Sequence, residues 1–151
     1  MTKQDIKNVK TWLHSIPKTE QAISSLEIAT KDLKVKLENP LPDKKEQYFR
    51  DSLAFLKDNL KAHRRKVEQY RDTLEFLKQE PQWGYIAEEI IRKKYYDRVR
   101  PDRVVYVKGL HISEAWFYKL HRRGLKLFFD VLPDVFEVRQ NENPAGGPGK
   151  N

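Results

Sequence analysis

An all-α fold, with an N-terminal helical hairpin or coiled-coil module and a C-terminal helix-turn-helix domain, is what the sequence predicts. Three observations carry it. Apolar residues in the middle of the chain recur in steps of four and three, the spacing of a helical seam. Prolines stand where those periodic stretches end, as helix stops require. Charged residues make up 34% of the chain and hydrophobic ones 38%, the balance expected of helices that each bury only a narrow stripe.

Taken in order, Thr2 or Asp5 caps a first short helix through Ile6, Val9, Trp12, Leu13 and Ile16, with Pro17 as its stop. A second helix starts near Lys18 or Thr19 and keeps heptad spacing at Ile23, Leu26, Leu33 and Leu37, with Thr30 as the weak position. Two prolines in Asn39-Pro40-Leu41-Pro42-Asp43 end it. The third helix, from about Asp43 to Glu80 with Pro81 as its stop, carries the clearest signal. Phe49, Leu53, Leu56, Leu60, His63, Val67, Tyr70, Leu74 and Leu77 alternate steps of four and three without a break. His63 is the polar intruder, read as a tolerated position that fixes register. A seam of this length must bury itself, either against the second helix as an antiparallel hairpin or against a second copy of the chain. Residues 1–80 are therefore expected to form one oligomerisation module.

Residues 82–138 read as a second domain. Gln82–Tyr96 is an amphipathic helix with Trp83, Ile86 or Ala87, Ile90, Ile91 and Tyr95 inward. Asp97–Pro101 breaks it. Asp102 then caps a very short segment holding Val104, Val105 and Val107, whose β-branched side chains fit a strand as well as a helix. Gly109 is expected to supply the positive φ of the turn. Ser113 caps a last helix that runs to Pro133. The Gly/Pro-rich tail at 139–151 has nothing to bury and is expected to be disordered.

Composition narrows the function. Without cysteines the chain forms no disulfide and no thiolate metal site. His14, His63, His111 and His121 make no metal-ligand pair, and no cofactor is expected. No Ser/His/Asp set or glycine-rich phosphate loop occurs, and adjacent Glu88 and Glu89 point in different directions, so no catalytic residue and no enzyme activity are expected. The N-terminus lacks an apolar signal region, and no run approaches the roughly 18 apolar residues of a membrane span, so a cytoplasmic protein without membrane contact is expected.

Charge points to the partner. The net charge is +8. Eleven Lys/Arg between Arg92 and Lys126, against Asp97, Asp102 and Glu114, account for all of it. A basic face of this density attracts a polyanion. From Asp102 to Phe128 the order is short helix, glycine-containing turn, apolar Leu110 and Ile112, serine cap and long basic helix, which is the plan of a helix-turn-helix. On the last helix Phe117, Leu120, Gly124, Leu127 and Phe128 share the inner side. Glu114, Ala115, Tyr118, Lys119, Arg122, Arg123 and Lys126 share the outer side.

Ser113, Glu114, Ala115, Trp116, Tyr118 and Lys119 are thus the candidates for the major groove of double-stranded DNA, and Arg122, Arg123 and Lys126 for its phosphates. Arg103 and Lys108 join the basic set from the preceding segment. Trp116 and Tyr118 either touch DNA or extend the core, whereas Trp83 is read as core. His111 and His121 are read as surface or phosphate-contacting groups.

The run Leu110-His111-Ile112-Ser113-Glu114-Ala115-Trp116-Phe117-Tyr118-Lys119-Leu120-His121-Arg122-Arg123-Gly124-Leu125 resembles the recognition helix of region four of bacterial sigma factors. It is closer still to the ArpU/RinA-like phage transcriptional regulators. Ile90-Ile91-Arg92-Lys93-Lys94-Tyr95-Tyr96 is similar to the aromatic-rich helix that precedes their motif. Trp116 stands where that family usually has a small hydroxyl residue, and Gly124 where it usually has an aliphatic one. The resemblance covers about a third of the folded chain. It implies a phage-encoded activator of late genes working in the cytoplasm of a bacterial host. The long seam would serve a homodimer or a contact with RNA polymerase. Two other functions fit parts of the sequence: a small terminase-like packaging protein, although terminases put the DNA-binding motif first, and a coiled-coil adaptor that does not bind DNA.

Overall fold

The computed structural model describes residues 1–136. The tail expected at 139–151 and the last two residues of the expected 82–138 domain lie outside the described residues. Everything described is helix, turn or extended connection, with no strand among the described residues. Five α-helices follow in order: α1 (Lys3–His14), α2 (Ile16–Leu37), α3 (Asp43–Lys78), α4 (Gly84–Ile91) and α5 (Glu114–Val131). Two π-helical segments, Arg92–Tyr96 and Val104–Gly109, lie between α4 and α5.

Local chemistry sets these limits. At the start of α1 the Asp5 amide donates to Thr2 Oγ1 at 3.0 Å and the Thr2 amide donates to Asp5 Oδ2 at 2.7 Å, so the two candidate caps form one reciprocal capping box. Pro17 does not end this helix. The break falls at Ser15, whose hydroxyl donates to the Trp12 carbonyl at 2.6 Å. Pro17 sits in the first turn of α2, where its missing N–H costs no hydrogen bond.

The chain divides into two compact units, Ile16–Glu68 on one side and Met1–Ser15 with the chain from Gln69 onward on the other. The boundary therefore falls inside α3 rather than at Pro81. The reason is packing: α1 lies against α5 and against the Arg92–Tyr96 segment, and Tyr70 near the end of α3 stacks on Tyr96 and Phe128.

In the Ile16–Glu68 unit α2 and α3 run antiparallel as a hairpin. Arg64 donates to Glu27 at 2.6 Å, and Lys36 lies 5.7 Å from the Phe49 ring centre. Leu60 and Val67 are buried, while Phe49, Leu53, Leu56, Leu26, Leu33 and Leu37 are half-buried. The polar intruder of the seam satisfies itself on its own helix, His63 Nδ1 lying 2.7 Å from the Asn59 carbonyl.

The other unit has the denser core. Tyr95, Phe117, Phe128, Leu13, Leu77, Ile90, Ile91 and Leu120 are all fully buried. Each apolar side chain of that size contributes roughly 1.5–3 kcal/mol on burial. Trp12 closes the core edge, 6.1 Å from Phe128 and 5.9 Å from Phe136 between ring centres. Two glycines permit the close approach of its helices. A Cβ on Gly84 would lie 2.1 Å from the Leu77 carbonyl oxygen, and one on Gly124 would lie 3.0 Å from Ile91 Cγ1. The first obstacle is backbone and cannot move aside, whereas the second is a side chain that need give by only a few tenths of an ångström.

The Val104–Val107 stretch is helical and of the wide, π type, with Leu110 N–H donating to the Val105 carbonyl at 2.9 Å. Asp102 does not cap it. Both Asp102 carboxylate oxygens accept from Lys94 Nζ, at 2.8 and 2.9 Å, which ties the segment back to the helix before it. Gly109 does not take the left-handed backbone either. His111 does, with φ 55°, a conformation that histidine enters more readily than most residues.

Gly84→Ala is expected to lower unfolding stability by about 1–3 kcal/mol, the usual range for an overpacked site, and by more than Gly124→Ala does. Urea titration of both variants measures this. Equal midpoints for Gly84→Ala and the parent would show that α3 and α4 do not meet at this glycine.

Candidate nucleic-acid interface

Helix α5 begins at a true cap. Ser113 is extended, with φ −70° and ψ 156°, and its Oγ accepts the Trp116 amide at 3.1 Å. From that point the two sides separate as their spacing demands. Phe117, Leu120, Gly124 and Phe128 are buried and Leu127 is half-buried. Glu114, Ala115, Trp116, Tyr118, Lys119, Arg122 and Lys126 are exposed. Core contacts on one side thus hold a basic and aromatic surface on the other.

The exposed surface has internal order. Lys119 Nζ lies 5.2 Å from the Trp116 ring centre, and the Arg123 guanidinium lies 5.1 Å from that of Trp83. Both are within cation–π range. Trp83, expected in the core, is half-exposed and serves as the platform that orients Arg123. Lys126 pairs with Asp130 one turn along at 2.7 Å, and Arg122 has no carboxylate partner among the described residues. Lys119, Arg122, Arg123 and Lys126 line an open cleft of about 320 Å³ together with Met1, a neighbour that spacing along α5 could not reveal. Arg103 and Lys108 are exposed on the π-helical segment before the turn.

Tyrosines fix the start of the helix. Tyr106 Oη donates to Glu114 Oε2 at 3.0 Å, so Glu114 is held by the preceding segment. Tyr118 Oη donates to Asp102 Oδ2 at 3.4 Å. Both phenols are shifted up, first by loss of solvent and then by these carboxylates and their neighbours, so both remain hydrogen-bond donors. The Tyr106 ring also packs 5.1 Å from Phe117, between ring centres.

His121 departs from the expectation of a surface or phosphate-contacting group. It is buried, its Nε2 lies 2.6 Å from Tyr95 Oη, and its ring stacks between Tyr95 and Phe117. Burial first, and then Lys94 and Lys10, push the imidazole down to about 3. The ring is therefore neutral, and its Nε2 shares one hydrogen bond with the Tyr95 hydroxyl. Tyr95 is in turn shifted up by its own burial. His14 packs edge-on against Tyr95 at 4.8 Å and is lowered by burial and by Arg98. In the sequence only the place of His121 one turn after Phe117 could have flagged its burial, and nothing there pointed to Tyr95.

Among the described residues no group of three His, Cys, Asp or Glu side chains is placed to hold a metal ion. No helix among them is long and apolar enough to cross a membrane. Comparisons with protein families, curated proteins and solved structures return no match for this chain.

The His121 imidazole makes stability acid-sensitive. In the unfolded chain it takes up a proton near pH 6.5 and in the fold only near pH 3. Between those values the unfolded state binds more protons, so this contribution is complete above pH 6.5 and lost as pH falls toward 3. The loss runs at up to about 1.4 kcal/mol per pH unit. Urea titrations at pH 7 and pH 5 are expected to show a drop in the parent and a smaller one in His121→Gln. Equal drops would place the acid sensitivity elsewhere.

Proposed function

We propose that the chain is a sequence-specific DNA-binding transcriptional regulator that reads the major groove with the outer face of α5. The observation that carries this reading is the segregation on that helix. Trp116, Tyr118, Lys119, Arg122 and Lys126 stand exposed on one side, and a closed core holds the other. A helix anchored in this way can enter a groove about 12 Å wide without unfolding anything behind it. Its amino end, capped by Ser113, offers main-chain amides to phosphate. Ala115, Trp116, Tyr118 and Lys119 on the first turns face base edges and thymine methyls. Arg122, Arg123 and Lys126 further along grip phosphate, with Arg103 and Lys108 adding charge from the preceding segment.

Helix α4 with its π-helical extension, the Val104–Gly109 segment and α5 supply the three helical pieces that a helix-turn-helix domain requires. The likeness of residues 110–125 to ArpU/RinA-like regulators favours a phage-encoded activator of late genes in a bacterial host. The α2–α3 hairpin takes the partner role in this reading, for RNA polymerase or for a second copy of the chain. Pairing two weak DNA-binding units raises affinity through effective concentration.

Capture of genome fragments with the purified protein is expected to recover a defined site next to a promoter. On that site Arg122→Ala with Lys126→Ala is expected to weaken binding. It should also flatten the dependence of log K on log salt by about 2, since each phosphate contact contributes roughly 0.9. A parent protein that ignores DNA at physiological salt would refute the reading. So would a double variant with unchanged affinity and salt slope.

A further inference from the structure

The Ile16–Glu68 unit contains a second basic feature, unrelated to α5. An open groove of about 690 Å³ runs between α2 and α3. Lys31 and Lys34 line it from α2, and Lys57, Lys61, Arg64 and Arg65 line it from α3. The acids on its walls are Glu27 and Glu68, which leaves four net positive charges in the groove. Residues 16–68 together carry only three. The rest of the unit is therefore slightly acidic, and its positive charge is gathered at this one place. Arg64 is matched by Glu27 at 2.6 Å. The other five cations have no carboxylate partner among the described residues.

A second observation points into the same groove. Thr30 lines it, is only 7% exposed, and its Oγ1 is buried without a hydrogen-bond partner. Leaving a buried hydroxyl unsatisfied is unfavourable. Like charges on facing walls add a further cost. One kind of ligand relieves both: a compact anion with several charges and an oxygen that accepts from Thr30. No aromatic side chain lines the groove, so nothing there can stack on a base. A nucleic-acid backbone brings one charge with each diester. An oligophosphate concentrates several in a volume this groove can hold, and lysine ammonium groups bind phosphate oxygens as point charges.

We propose that the α2–α3 groove is a binding site for a compact oligophosphate anion, held by Lys31, Lys34, Lys57, Lys61 and Arg65, and that the Thr30 side chain turns about χ1 to present its buried hydroxyl to one of the oxygens. Occupancy would draw the two helices together and stabilise the hairpin. The site is independent of the DNA-binding reading and stands if that reading fails.

Calorimetric titration and thermal melting of the full chain test it, with inorganic tripolyphosphate as the probe and citrate and a short random duplex as comparators. The parent is expected to bind tripolyphosphate more tightly than citrate and to melt at a higher temperature in its presence. Lys34→Gln with Lys61→Gln should weaken that binding about tenfold, by loss of two charge-assisted contacts. Thr30→Val should weaken it about fivefold while the ligand-free melting temperature stays level or rises, because the hydroxyl it removes was unsatisfied. Arg122→Ala with Lys126→Ala should leave it intact. No tripolyphosphate binding by the parent, citrate bound as tightly, or full affinity retained in both groove variants would each overturn the proposal. Groove variants that lose duplex binding in a parent that does not bind tripolyphosphate would reassign the groove to nucleic acid.

Discussion

The close approach of α5 to α4 is the constraint on which the C-terminal architecture depends. Gly124 has no side chain, so α5 can settle onto Ile91 with Leu77 alongside. Phe117, Leu120 and Phe128 then reach the core together. A helix held in this way cannot rotate without exposing three large apolar side chains. Its outward residues are fixed by what its inward residues bury. The exposed row from Trp116 to Lys126 is a consequence of core packing, and no contact on the outer side is needed to create it.

Polar interactions refine what the core has placed. Burial of His121 in its neutral form keeps the Nε2–Tyr95 hydroxyl hydrogen bond, which links α5 to the segment after α4 without bringing a charge into the core. Lys94 and Asp102 make a corresponding link nearer the surface. They pin the start of the Val104–Gly109 segment, and Tyr106 and Tyr118 extend that network to the first turn of α5. The amino end of the candidate interface thus rests on side-chain hydrogen bonds, whereas its middle rests on apolar packing.

Much of this was legible in the residues because periodicity is a direct record of burial. The long seam, the inner and outer sides of α5, the Ser113 cap and the all-helical class follow from spacing and cap chemistry alone. The features that escaped it have specific physical causes. Pro17 is compatible with the first turn of a helix as well as with a stop, and only the Ser15 geometry decides between them. Division of α3 between two units depends on what packs against each end, and its seam runs unbroken through both. His121 is polar by type yet lies on a buried stripe, and its partner is 26 residues away in the chain. Gly109 and His111 stand two positions apart in one turn, and residue preference favoured the wrong one for the left-handed backbone.

The two wide-turn segments at Arg92–Tyr96 and Val104–Gly109 bear on how the chain tolerates changes in length. Each fits more residues into a turn than an α-helix does, so a one-residue deletion there lets the turn tighten to the α pitch while later side chains keep nearly their azimuth. A deletion within α5 has no wide turn to absorb it and would swing every later side chain by about 100°. An insertion in the Asn39–Pro42 connection, which lies outside the helices and is largely exposed, meets no such penalty. Divergent copies of this protein should therefore vary in length at the hairpin tip and at the two wide turns, and keep their residue count within α5 even where its side chains have been exchanged.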